Sequence, residues 1–188
     1  MTQSSSRQKR KGIHPQKFGI WIAIGSIIMM FGGFTSGFIV RKSQGSWLEL
    51  QLPLLFYIST VVILLSSLSL WLAVRSFKRR EMGLHKNMVS LTVGLGLAFA
   101  ICQYFGFKEL FEVTHWNNNV SFQYLLVIIG VHALHVLGGV VALAIMFLRT
   151  FSRRMKLYSA AGLEIISTYW HFVDILWIYL FIFFLLNQ

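Results

Sequence analysis

Apolar positions in this chain run on in long blocks, interrupted only by short polar segments carrying basic residues, Asn or Gly. Five blocks, at residues 18–40, 52–74, 88–107, 121–148 and 159–186, are nearly free of charge. About 20 apolar residues in a helix cover the hydrocarbon core of a bilayer, so each block is long enough to cross. Strands are excluded on physical grounds: an open sheet edge cannot face lipid, and no alternating dyad pattern suits a barrel. The pattern predicts an all-α integral membrane bundle of five transmembrane helices. No internal repeat is visible and no linker is long enough to separate domains. Residues 18–188 therefore read as one transmembrane domain, preceded by a basic, disordered tail at 1–17. The first block is too long for a signal-peptide core and reads as an uncleaved anchor.

Composition agrees. The mean hydropathy is +0.66 and 12% of residues are charged, against about 25% in an ordinary soluble domain. The net charge of +11 raises the question of nucleic acid, and its placement answers it. Fourteen of the seventeen basic residues fall before the first block, between the second and third, or between the fourth and fifth. Only Arg41, Lys42 and Lys108 fall on the other side, beside Glu49, Glu109 and Glu112. This is the positive-inside asymmetry, which predicts a cytoplasmic N-terminus and an external C-terminus and leaves no need for a nucleic-acid partner. The one cysteine, Cys102, lies inside the third block and reads as a small apolar filler.

Function has to be sought in polar groups that sit in lipid at a cost, about 3 kcal/mol for a charge at mid-bilayer on insertion scales. Glu164 and Asp174 lie in the fifth block, with His171; His132 and His135 lie in the fourth. The pairs His132/His135 and His171/Asp174 are each three apart, so each shares a helix face. The two antiparallel spans place both pairs at similar depth, and a facing arrangement is expected. Such a cluster could hold a metal, bind a haem, carry protons or ions, or hydrogen-bond one helix to another. Gly32, Gly33, Gly37, Gly94, Ala98, Gly138 and Ala142 are expected to allow close helix approach, and Ser66, Ser67 and Ser69 to bond within or between helices. Trp21, Trp47, Trp71 and Trp116 lie near block ends, as interfacial aromatics do.

The string Tyr169-Trp170-His171-Phe172-Val173-Asp174-Ile175-Leu176-Trp177 closely resembles the last-helix signature of subunit III of haem–copper oxidases. The preceding His132-Ala133-Leu134-His135-Val136-Leu137-Gly138-Gly139 is similar to that family's histidine motif. Leu52-Pro53 with Ser59-Thr60 and Ser66-Ser67, then Leu95-Gly96 with Phe99 and Gln103, resemble its earlier helices. Phe18-Gly19-Ile20-Trp21, Phe31-Gly32-Gly33 and Arg41 resemble its opening one. The resemblance runs in order over nearly the whole chain, to the five-helix bacterial kind. It implies a subunit in the bacterial cell membrane, without catalytic, metal or cofactor residues of its own, packed on the catalytic subunit I of an oxidase that reduces oxygen to water. Haem and copper would lie in partner subunits. Subunit II, a small subunit IV, bound phospholipid and a larger respiratory supercomplex belong to the same expectation. The subunit would support proton uptake and slow inactivation during turnover. His132, His135, Glu164, Trp170, His171, Asp174 and Trp177 would then form a structural or lipid-contact cluster. The electron donor binds other subunits, and the reading leans to cytochrome c over quinol. The chain departs from the family in having Ile27 and Gly106 where carboxylates are common. The competing reading is a small proton- or ion-coupled transporter built on the Asp174 cluster, although the inverted repeats and broken helices of transporters are not apparent.

Overall fold

A computed structural model of the chain describes residues 15–43, 52–113, 120–151 and 160–187. Five helices account for almost all of them: α1 (Pro15–Lys42), α2 (Leu54–Lys78), α3 (Met82–Val113), α4 (Val120–Phe151) and α5 (Ala160–Leu186). All five are long and apolar enough to cross a membrane, and no strand occurs among the described residues. Most of the expected tail, with Trp47, Glu49, Trp116, Arg153, Arg154 and Lys156, lies outside the described residues.

Three of the helices, α1, α3 and α4, outrun their apolar blocks at both ends. α3 starts six residues before the expected span and ends six after it. Its flanks are polar, with His85, Lys86 and Asn87 at one end and Lys108 and Glu112, paired at 3.7 Å, at the other. Helical hydrogen bonding is set by the backbone and continues beyond the hydrocarbon. At 1.5 Å per residue the helices measure about 38–48 Å, against about 30 Å of hydrocarbon. α1 likewise begins at Pro15, a favoured first helical residue, which makes Lys17 helical and not part of a tail.

α2, α3, α4 and α5 close a ring in chain order, and α1 packs outside it on α4 and α5, its backbone close to neither α2 nor α3. Buried positions recur every seven residues. On α2 they are Phe56, Ile63 and Leu70, interleaved with Ser59, Ser66 and Ala73; on α5 they are Leu163, Trp170, Trp177 and Phe184, interleaved with Val173 and Leu180. A seven-residue repeat keeps one seam facing its neighbours along a whole helix. Lipid is as apolar as leucine, so helices associate through packing and hydrogen bonds. The burial pattern obeys this: Ile28, Leu64, Leu134 and Ile175 face outward, whereas Ser59, Ser66, Thr92 and Asp174 are buried.

α2 and α3 are joined by three residues, Arg79, Arg80 and Glu81. The Arg80 N–H donates to the Phe77 carbonyl and the Glu81 N–H to that of Ser76, both at 3.1 Å. These two bonds form a Schellman cap, whose middle residue must be left-handed and is usually glycine. Here Arg80 takes that conformation with φ 62°. Arg80→Gly is accordingly expected to stabilise the chain by about 1 kcal/mol, because the Cβ strain of a left-handed L-residue is removed. Thermal unfolding of the purified chain checks it: Arg80→Ala, which keeps the strain, should melt with the parent.

Candidate functional site: the polar seam of the fifth helix

Two tryptophans seven residues apart set the position of α5. Trp170 is fully buried, and its indole N–H donates to Ser66 Oγ of α2 at 3.2 Å. Its ring reaches α3 and α4 at two glycines. A Cβ on Gly139 would stand 2.9 Å from the Trp170 ring and one on Gly96 3.1 Å from it. Trp177 donates its N–H to Thr60 Oγ1 at 3.0 Å. Its ring packs against Phe56 and Phe99, each at 5.7 Å between centroids, and His132 stacks on it at 5.2 Å and 28°.

Between the tryptophans lies the polar part. Ser67 Oγ and His171 Nδ1 share a hydrogen bond of 2.6 Å. His171 Nδ1 stands 4.0 Å from Asp174 Oδ2, too long for a hydrogen bond. Asp174 is buried, and neither carboxyl oxygen has a hydrogen-bond partner. The same holds for both ring nitrogens of His132, which edges a cavity of about 240 Å³ between α3 and α4. His135 turns to its own helix, with Nδ1 donating to the Val131 carbonyl at 2.8 Å. Its carbonyl in turn accepts from the Tyr169 hydroxyl at 3.1 Å. Phe31 of α1 lies edge-on to both histidine rings.

The expected four-membered facing arrangement is thus divided. His171 and Asp174 lie together against α2, whereas His132 stacks on Trp177 and His135 bonds back to α4. Among the described residues no group of three or more His, Cys, Asp or Glu converges as metal ligands would. Glu164 stands elsewhere, at the end of the bundle where the basic residues gather. It pairs with Lys17 of α1 at 2.5 Å and more distantly with Lys78 of α2 at 3.7 Å. Long lysine stems let the charges meet at that end although Glu164 belongs to an apolar block.

A row of hydroxyls on α2 completes the seam. Besides the bonds to Trp170, Trp177 and His171, Ser59 accepts from Gln103 Nε2 at 3.0 Å, and Ser69 bonds Thr92 at 2.8 Å. Thr60, Gln103 and Thr92 carry as much of the interior hydrogen bonding as the histidines do. Their signal in the sequence is the spacing of Ser59, Ser66 and Thr60, Ser67 at seven residues. The glycines expected to bring helices together divide as well. A Cβ on Gly37 would meet Tyr124 and one on Gly138 the Tyr169 hydroxyl, but one on Gly32, Gly33 or Gly94 would meet nothing within 4 Å among the described residues. The tight glycines are Gly96, Gly106 and Gly139. At Gly106 a Cβ would stand 3.0 Å from the Phe56 ring, and Ile27 packs on the core as an apolar residue.

Comparison with known proteins gives this geometry a family. The sequence profile of the family described as Cytochrome c oxidase subunit III matches residues 46–187, which contain α2–α5 and the whole seam. The chain belongs to that family. Among similar proteins is cytochrome c oxidase subunit 3 of Bacillus subtilis (strain 168), 26% identical over 172 residues, with 87% of this chain and 82% of the relative covered. The probable quinol oxidase subunit 3 of Staphylococcus haemolyticus (strain JCSC1435) is 29% identical over 178 residues, covering 88% and 85%. The cytochrome c oxidase subunit 3 of Corynebacterium diphtheriae (strain ATCC 700971 / NCTC 13129 / Biotype gravis) is 29% identical over 178 residues, covering 86% and 85%.

The two glycine slots give a sharp test. Gly139→Ala forces its methyl into the buried Trp170 ring and is expected to cost about 1–3 kcal/mol, the range for overpacking. Gly94→Ala meets open space and should be neutral or slightly stabilising, since alanine is the better helix former. Paired melting curves in detergent check the order, and equal melting would mean that Trp170 is not clasped by Gly139.

Proposed function

We propose that this chain serves as subunit III of a bacterial haem–copper oxidase, a multi-pass membrane subunit that packs on the catalytic subunit, steadies it and supports its proton uptake. The family match across α2–α5 carries this reading, with the 169–177 string built into the core by Trp170 and Trp177. On this reading His132, His135, Glu164, Trp170, His171, Asp174 and Trp177 have a structural or lipid-contact role. The tryptophans and His171 join α5 to α2, and Glu164 joins α5 to α1 and α2. Haem and copper belong to the partners, which would be subunits I and II and a small subunit IV, with phospholipid at the lipid face and room for a respiratory supercomplex.

Proton uptake is supported here by contact with the catalytic subunit. Ile27 and Gly106 offer no titrating group at the positions where the resembling family often has carboxylates. The relatives' names divide between cytochrome c and quinol oxidases, which suits a subunit that does not itself bind the donor. The charge asymmetry supports an orientation with the N-terminus and the α2–α3 turn in the cytoplasm.

Two measurements test the reading. The tagged chain, purified in mild detergent from its own membranes, should carry haem-bearing partners at near-equal stoichiometry; recovery as its own oligomer without haem would refute the assignment. A reporter active only outside the cytoplasm should work when fused after Gln188 and be silent after Arg80. The reverse result would invert the orientation.

A further inference from the structure

α5 packs on both α1 and α2, yet the α1 and α2 backbones do not approach one another. Toward α2, α5 turns His171 and Trp177, bonded to Ser67 and Thr60. Toward α1 it turns Tyr179, whose hydroxyl bonds Thr35 at 2.8 Å. At about 100° per residue, Glu164, Thr168, Ile175 and Ile182 fall on a stripe between those two faces. Exposure agrees: Ile175 is 65% and Ile182 48% exposed. The stripe is therefore the floor of a groove walled by α1 and α2. Glu164, paired with Lys17 and Lys78, closes the groove at the basic end. From Glu164 to Ile182 the floor is about 27 Å long, close to the roughly 30 Å hydrocarbon thickness.

The α2 edge of this floor is wrong for lipid. The His171 side chain is 31% exposed, and its Nδ1 is taken by Ser67, so Nε2 has no partner among the described residues. His171 stands about 17 Å from the start of α5 and about 23 Å from its end, well inside the bilayer. Acyl chains offer no hydrogen bond at that depth, and lipid polar groups are about 15 Å away at the edges of the hydrocarbon core. Whichever tautomer the Ser67 bond selects, Nε2 needs a donor or an acceptor. Behind it, the buried Asp174 carboxylate stands 4.0 Å from His171 Nδ1.

We propose that the groove over α5, between α1 and α2, receives a transmembrane helix of a partner subunit that brings a hydrogen-bonding side chain to His171. The proposal rests on the oxidase-subunit reading and adds the face that docks and the chemistry it recognises. A helix about 10 Å across suits two walls that each pack on α5 without meeting, and a Ser, Thr, Asn, Gln or Tyr on it would satisfy Nε2.

Photo-crosslinking tests the face. Ile175→p-benzoylphenylalanine should yield an adduct with a haem-bearing subunit in native membranes. Leu134→p-benzoylphenylalanine, at a 67% exposed position on α4, should yield lipid adducts only. A complex that keeps its haem subunit but crosslinks to it through Leu134, or gives only lipid at Ile175, overturns the docking face and leaves the family reading intact. A chain that carries no haem subunit through purification overturns both. His171→Leu adds a second readout. It should lower recovery of the haem subunit at least about tenfold, as loss of a central buried contact does, while the full-length chain alone in detergent melts only slightly lower than the parent, through loss of the one Ser67 bond. His171→Gln should restore association. Normal association of His171→Leu, whether or not its melting temperature falls, would make His171 an internal strut only and refute the proposal.

Discussion

Trp170 filling the space left by Gly96 and Gly139 is the contact on which the rest of the bundle depends. In lipid no hydrophobic force draws one apolar helix to another, so cohesion must come from close packing and from hydrogen bonds. A single buried indole supplies both here. Its edge meets the α3 and α4 backbones where no Cβ intervenes, and its N–H finds Ser66 on α2. α5 is thereby held to three neighbours at one level. Trp177 repeats the arrangement two turns on, with Thr60 as acceptor and Phe56, Phe99 and His132 around the ring. The seven-residue separation keeps both rings on the inner face of α5, and the same spacing on α2 puts hydroxyls opposite them.

α2 is accordingly less a hydrophobic strut than a rail of hydroxyls. Ser59, Thr60, Ser66, Ser67 and Ser69 each bond a side chain of α3 or α5. A serine hydroxyl is small, so α2 can approach both neighbours closely while still offering a bond. Each such bond is worth about 1 kcal/mol or less in a membrane, and their number, with the packing they permit, is what gives α5 a single register. Glu164 acts at the end of the same helix, where two lysines from α1 and α2 reach it and α1 is tied to a ring it otherwise meets only along α4 and α5.

Much of this is legible in the amino-acid sequence. The spans, their number and the family follow from the length and order of the apolar blocks and from motifs at Trp170, His171, Asp174 and Gly139. The histidine arrangement is not legible there. Residues three apart share a face, but which neighbour that face meets depends on how five helices are arranged around one another. His135 shows the second obstacle, because its Nδ1 is satisfied by the carbonyl of Val131 one turn back, an option open to any helical histidine. Glycines pose a third. Gly33 and Gly139 look alike in sequence, yet only Gly139 stands against a ring, because that depends on where Trp170 points.

The departures at Ile27 and Gly106 now have a physical setting. Gly106 is in contact with the edge of Phe56, and Phe56 in turn packs on Trp177. A carboxylate side chain at Gly106 would have to displace a fully buried ring and, through it, the tryptophan that holds α5. The absence of the acid and the presence of the phenylalanine are thus two parts of one packing solution. Ile27 fits the same description, as an apolar residue packed on the core. The carboxyl group buried inside the bundle is that of Asp174 on α5, beside His171, while Glu164 stands at the bundle's end with the lysines.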